Sequence, residues 1–200
     1  MRIILASSSP RRLQLMEQAG IPCEVIVSDV DENIEGPAHE QVEQLALRKA
    51  RAVRQIVGKA LMPSEPRETI IIAADTLVSL DDRVLSKPTS GADAFAMLRA
   101  LQGRKHTVYT GVAIIKINDA DDETHSFVES ADVFFRPLTD YDIGGYIATG
   151  ETDDKAGAYG AQGRGAVLVE RIEGDFFTVM GLPISRLCAM LSDMDVDIWQ

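Results

Sequence analysis

The groups best suited to chemistry follow short apolar runs. Near the start, Ile3-Ile4-Leu5-Ala6 leads into Ser7-Ser8-Ser9-Pro10-Arg11-Arg12. Ser9 suits an N-cap, and Pro10 suits the first helical position, where a missing N–H costs nothing. A helix start presents free N–H groups and a partial positive charge, so it attracts anions. Here it also carries three hydroxyls and two guanidinium groups, and arginine matches phosphate oxygens two at a time. Ser7, Ser9, Arg11 and Arg12 are therefore candidates for holding a phosphate-bearing ligand. The alternative is a capped surface helix with two solvated arginines. Asp75 is the second candidate. It follows Ile70-Ile71-Ile72-Ala73-Ala74 and precedes Thr76. An acid there could orient and deprotonate a water, or could merely end a strand in a turn. Glu32, at the end of Ser28-Asp29-Val30-Asp31-Glu32, could join it in holding Mg2+ or Mn2+ through hard oxygens, or could be a surface acid. Lys49 and Lys87 could neutralise charge that builds on phosphate oxygens during displacement. Lys87, beside Pro88, also reads as solvated, and Gln162, between glycines, as an ordinary turn residue.

These groups need elements to carry them. Residues 3–6 read as a strand and residues 10–20 as a helix stopped by Gly20. Cys23–Ser28 reads as a strand, and Gly36-Pro37 opens a helix to about Gly58. That helix carries Val42, Leu45, Ala46, Ala50, Val53, Ile56 and Val57 on one stripe. Lys49 falls near the middle of the stripe, so it either snorkels to water or points at an anion. A polar loop is expected over Leu61–Glu68. The isoleucine run has the pattern of a central strand buried on both faces, ending at Asp75. Leu77–Leu80 and Arg83–Leu85 suit a small hairpin, and Ser90 caps a helix over Gly91–Leu101. Two long strands are expected over Thr107–Asn118 and Thr124–Arg136, joined by a solvated acidic turn, Asp119–Glu123. Thr139 and Asp142 form a capping box for a helix to about Thr149. A glycine-rich loop spans Asp153–Gly165. Ala166–Arg171 and Phe176–Met180 suggest a hairpin, Pro183–Leu191 a closing helix, and the acidic tail from Ser192 is expected to be mobile. Ligands of open α/β sheets bind at the carboxyl ends of strands. If the first strand and the isoleucine strand share a sheet, Asp75 can face the serine–arginine turn.

Composition narrows the classes. The 200 residues are 46% hydrophobic, enough for a proper core, and carry a net charge of −11. That balance argues against nucleic-acid and membrane-surface partners. No apolar run approaches the roughly 20 residues of a membrane span. Cys23 and Cys188 have no metal-type spacing and read as reduced core thiols of a cytoplasmic protein. His39, His106 and His125 stand in unrelated polar contexts, so no serine or cysteine triad is evident. Neither GxxxxGK[ST] nor a GxGxxG after a strand occurs.

In the same order along the chain, Leu5–Arg12, Val30-Asp31-Glu32, Lys49-Ala50, Ala73–Thr76, Lys87-Pro88 and Asp154–Gly163 (DKAGAYGAQG) resemble the Maf family of nucleoside triphosphate pyrophosphatases. The resemblance runs from Ile3 to Leu191. It implies an α/β fold of the inosine-triphosphate-pyrophosphatase (Maf/Ham1) type: an elongated mixed sheet flanked by helices, with a cleft between two lobes, in one domain over residues 1–200. It implies hydrolysis between the α- and β-phosphates, a divalent cation (Mg2+ or Mn2+) and often a homodimer. By position, Asp75 would activate water beside the metal, and Glu32 would be a metal-side carboxylate. Ser7, Ser9, Arg11, Arg12, Lys49 and Lys87 would be phosphate contacts. Arg12, Thr76 and Gln162 match the branch that resembles dTTP/UTP pyrophosphatases. The 7-methyl-GTP branch has Asp-Gln at the place of Asp75-Thr76 and Ser-Glu near Gln162. A side-chain amide suits the imide edge of uracil or thymine. The implied use is to keep aberrant nucleotides out of nucleic acid. The rival readings are a nucleotide-binding regulator of septum formation or cell division without significant turnover, and a phosphomonoesterase.

Overall fold

The isoleucine run decides the architecture, because a strand without a polar face must be covered on both sides. In the computed structural model, which describes residues 1–60, 68–118 and 122–199, this run lies in β3 (Thr69–Leu80), and all five of its residues are fully buried. β1 (Arg2–Leu5) runs parallel to β3, with Ile3 opposite Ile70 and Leu5 opposite Ile72. β2 (Glu24–Val25) pairs in parallel with β1. β4 (Arg83–Leu85) folds back on β3 through Asp81 and Asp82, both at positive φ, as a two-residue hairpin turn requires. β5 (Lys105–Ile117) and β6 (Glu123–Phe135) follow, and β7 (Val169–Glu173) is antiparallel to β6. The strand order is β2-β1-β3-β5-β6-β7, a mixed seven-stranded sheet with β4 on β3. The helices flanking it are α1 (Pro10–Gln18), α2 (Ala38–Ala60), α3 (Gly91–Leu101), α4 (Asp140–Ile147), α5 (Phe176–Met180) and α6 (Ile184–Asp193).

The chain divides into two compact units. One comprises Met1–Asp75, Thr110–Val128 and Gly181–Gln200, and the other Thr76–Tyr109 and Glu129–Met180. In the first, Ala46, Ala50, Val53 and Val57 of α2 pack on Ile4, Ile71, Ala73, Ala113 and Ile115 of the sheet. Gly111 lets them approach: a Cβ there would stand 2.4 Å from the Val42 carbonyl. In the second, Leu98 and Leu101 of α3, Ile143 and Tyr146 of α4, Phe135 and Tyr159 form the core.

Several expectations change in detail. β3 does not end at Asp75 but continues to Leu80, because Asp75 finds a cationic partner inside the fold. The strand expected over Cys23–Ser28 shrinks to two exposed residues at the sheet edge. Phe176–Met180 is helical, because the Asp175 carboxylate accepts from the backbone N–H of Phe177 (3.2 Å) and Thr178 (2.8 Å). The tail is anchored. Met194 and Val196 are buried, Lys116 Nζ donates to the Met194 carbonyl at 2.6 Å, and Trp199 is exposed. Ile56 is also exposed, and the two free cysteines are half-buried rather than core. The loop expected over 61–68 and the turn over 119–123 fall largely outside the described residues. Both predicted caps form: Ser90 Oγ accepts from Asp93 N–H, and Thr139 with Asp142 makes a complete capping box.

Candidate active site

The turn between β1 and α1 is tied down from within. The Ala6 N–H continues the sheet pairing to the Ile72 carbonyl at 2.7 Å. Ser7 is buried, and its hydroxyl accepts from the Ser9 N–H at 3.2 Å and from Arg12 Nη1 at 3.1 Å. Arg12 Nε donates to the Gly181 carbonyl at 2.8 Å. The guanidinium is thus fixed by contacts 5 and 169 residues away in sequence. Pro10 opens α1 as expected. Ser9 takes the N-cap place, but its side chain makes no capping bond; the Ser7 hydroxyl instead receives the Ser9 N–H.

The second cluster is built by α2 and β3. Lys49 lies on the buried side of α2, between Ala46 and Ala50, and its head does not snorkel out. Its Nζ stands 2.6 Å from Glu32 Oε1 and 2.7 Å from Asp75 Oδ1. The Lys49 and Asp75 side chains are only 13% and 11% exposed, against 54% for Glu32. The lysine head is thus paired with carboxylates inside the fold rather than solvated. Arg48, one residue earlier, donates to the Asp31 carbonyl and so anchors the segment that carries Glu32. Asp31 Oδ1 in turn accepts from the Asn33 N–H at 3.0 Å.

Electrostatics join the two clusters. Burial pushes the Arg12 guanidinium below its ordinary pKa, Asp75 and Glu32 oppose that shift, and Arg11 adds to it. Arg12 is thus close enough to Asp75 and Glu32 for their charges to bear on it. Ser7, Arg11, Arg12, Glu32, Lys49 and Asp75 all belong to the first unit.

The remaining candidates belong to the second unit. Thr76 follows Asp75 along β3 and is half-buried. Lys87 is exposed, and the carbonyl of its neighbour Ser86 accepts from the Gly157 N–H at 3.1 Å. Gln162 is half-buried and extended, between two pinned stretches of the glycine-rich loop. On one side the Tyr146 hydroxyl accepts from the Gly160 N–H at 3.1 Å. On the other the Glu151 carboxylate accepts from the N–H groups of Arg164 and Gly165, at 3.1 and 3.3 Å. A Cβ at Gly165 would stand 2.0 Å from the Gly160 carbonyl oxygen, so only glycine closes the loop there.

His106 does not sit in the polar setting that its sequence neighbours suggest. It is 2% exposed, its Nε2 lies 2.7 Å from the Tyr159 hydroxyl, and its Nδ1 has no hydrogen-bond partner. Phe135 and Tyr159 meet it edge to face. Burial lowers its pKa to about 4, with Asp132 opposing weakly, so the ring is neutral at ordinary pH. The available signal was alternation. His106, Val108 and Thr110 share one face of β5, and all are buried. Glu151 and Tyr146 had no sequence signal, because their role is to bond loop backbone.

The donor set can be tested against a divalent ion. Among the described residues no group of three His, Cys, Asp or Glu converges. Glu32 and Asp75 do converge on one cation, the ammonium of Lys49. Two carboxylates suit an ion such as Mg2+, which keeps waters and takes further oxygens from substrate phosphates.

The profile of Maf-like proteins matches residues 2–194. The chain belongs to the Maf family. Curated Maf relatives include the dTTP/UTP pyrophosphatases of Bacillus cereus and Bacillus anthracis. Each is 45% identical over 199 residues, which cover 98% of this chain and 97% of the relative. Among solved structures, that of the Staphylococcus aureus Ham1 protein aligns over 97% of this chain and 100% of its own. The identity is 16% and the TM-score 0.45, too distant to carry an argument. No described helix of this Maf protein is long and apolar enough to cross a membrane.

Proposed function

We propose that this Maf protein is a nucleoside triphosphate pyrophosphatase that hydrolyses dTTP and UTP to the nucleoside monophosphate and pyrophosphate. The observation that carries the reading is the convergence of Glu32, Lys49 and Asp75 within electrostatic reach of Arg12. It occurs in a chain 45% identical to dTTP/UTP pyrophosphatases. Water attacks the α-phosphorus, and Asp75 takes the proton. The bond from the α-phosphorus to the α,β-bridging oxygen breaks, and pyrophosphate leaves with the electron pair. Arg12, Ser7, Ser9 and Arg11 bind phosphate oxygens, and Lys49 and Lys87 balance charge on the phosphate chain. Gln162 and Thr76 are assigned to pyrimidine preference, since a side-chain amide offers both the donor and the acceptor that an imide edge needs.

Glu32 and Asp75 would hold Mg2+ or Mn2+, which when bound polarises the phosphate oxygens it touches. The reading also includes a cytoplasmic setting, supported by the free thiols of Cys23 and Cys188. It includes a homodimer, supported by the exposed Val25 and Val27 at and beside the edge strand β2; sedimentation at micromolar concentration tests that point. The activity is tested by incubating the purified protein with each nucleoside triphosphate and Mg2+ or Mn2+. Pyrophosphate released fastest from dTTP and UTP is expected. Free phosphate, or no turnover, overturns the reading.

A further inference from the structure

Lys49 sits between the two carboxylates that could hold a metal. Its ammonium nitrogen is 2.6 Å from Glu32 Oε1 and 2.7 Å from Asp75 Oδ1, so the cation held by the two carboxylates is the protein's own. The three side chains together carry one negative charge. A divalent ion entering between the same oxygens meets the ammonium at contact distance, where like charges repel. Along α2, Lys49 neighbours Ala46 and Ala50, both fully buried, and its own side chain is only 13% exposed. Leaving for bulk water would give up both carboxylate contacts. An anion nearby would offer the ammonium a replacement for them.

We propose that Lys49 is an internal counter-ion that closes the metal position in the nucleotide-free protein, and that the triphosphate opens it by giving the ammonium new oxygen partners. This rests on the reading of Glu32 and Asp75 as metal-side carboxylates. Metal and nucleotide then bind with positive coupling, because each improves the other's site by the same factor. Free metal alone binds weakly. The same lysine becomes a phosphate contact once the nucleotide binds. The variant Lys49→Met keeps the apolar stem and removes the charge.

The test titrates Mn2+ into nucleotide-free protein and reads free Mn2+ by electron paramagnetic resonance, with thermal melts alongside. Lys49→Met should bind Mn2+ at least about tenfold more tightly than the wild type. Its melting temperature should also rise more on adding Mn2+, because the ion replaces the lost cation between the carboxylates. With a non-hydrolysable dTTP analogue, Mn2+ affinity should rise in the wild type and rise less in the variant. Lys49→Gln serves if the methionine variant fails to fold. Equal or weaker Mn2+ binding in both charge-removing variants overturns the inference. Adding Asp75→Asn to Lys49→Met should abolish the gained affinity. If the gained Mn2+ binding persists there, the carboxylate reading itself fails, a result separate from the first.

Discussion

Gly111 offers a direct test of how the fold sets the site. A Cβ at this position would stand 2.4 Å from the carbonyl carbon and oxygen of Val42 and 2.7 Å from the backbone nitrogen of Glu43. Ordinary contact begins near 3.4 Å, so Gly111→Ala demands about 1 Å of separation between β5 and α2. Both partners are backbone, and no side chain can swing away. Overpacking of this kind costs about 1–3 kcal/mol, toward the upper end where nothing can yield. For a chain of this size that lowers the melting temperature by roughly 2–12 °C. Val42 and Lys49 are seven residues apart, two helical turns on one face and roughly 10 Å along α2. A helix that moves at Val42 carries Lys49 away from Asp75, and a 1 Å misplacement costs on the order of a hundredfold in rate. Gly144→Ala is the matched control, because a Cβ there meets nothing within 4 Å. It should leave stability unchanged or raise it by up to about 1 kcal/mol, as expected in a helix interior. Thermal melts and dTTP turnover of both variants settle the matter. Wild-type stability and turnover in Gly111→Ala would refute the reasoning.

Three further outcomes follow from the site and its surroundings. Asp75→Asn should lower kcat by roughly 10²–10⁴-fold, the range for a general base, while the fold persists because Lys49 keeps Glu32; near-normal dTTP turnover contradicts the role. Gln162→Glu removes the amide donor, so relative rates over a panel of triphosphates should shift away from dTTP and UTP, and an unchanged profile contradicts the assignment. His106 has a folded pKa of about 4 against an ordinary 6.5, so below pH 6.5 the unfolded chain takes the proton first. Its stabilising share is complete above pH 6.5 and falls as the pH drops toward 4, by up to about 3 kcal/mol. His106→Gln should flatten that part of the stability–pH curve in urea melts, and an unchanged slope would show that other groups carry it.

The helices and long strands were legible because local rules and tertiary packing agree in them. The capping pairs at Ser90 and Thr139 and the apolar stripe of α2 each point to one answer. The serine–arginine turn and the carboxylates were legible as residue types at suggestive spacings. What could not be read was the partner of each charge. Asp75 looked like a strand end because an acid inside a buried strand is costly alone. Lys49, 26 residues away, removes that cost, and no local pattern announces a pair so distant. Phe176–Met180 has strand-forming residues, and its helix depends on the Asp175 side chain. The tail is acidic by composition, yet Met194 and Val196 are buried and Lys116 donates to the Met194 carbonyl. His106 was hidden by its polar neighbours, although alternation along β5 turns it inward.

The central claim is that water attacks the α-phosphorus of a pyrimidine triphosphate at the Glu32–Lys49–Asp75 cluster. Hydrolysis of dTTP in 18O-labelled water, with the products weighed by mass spectrometry, tests it most directly. The label should appear in dTMP, with unlabelled pyrophosphate, and Asp75→Asn should suppress both products together. Label in pyrophosphate or in free phosphate, or labelled dTMP formed at the wild-type rate by Asp75→Asn, would contradict it.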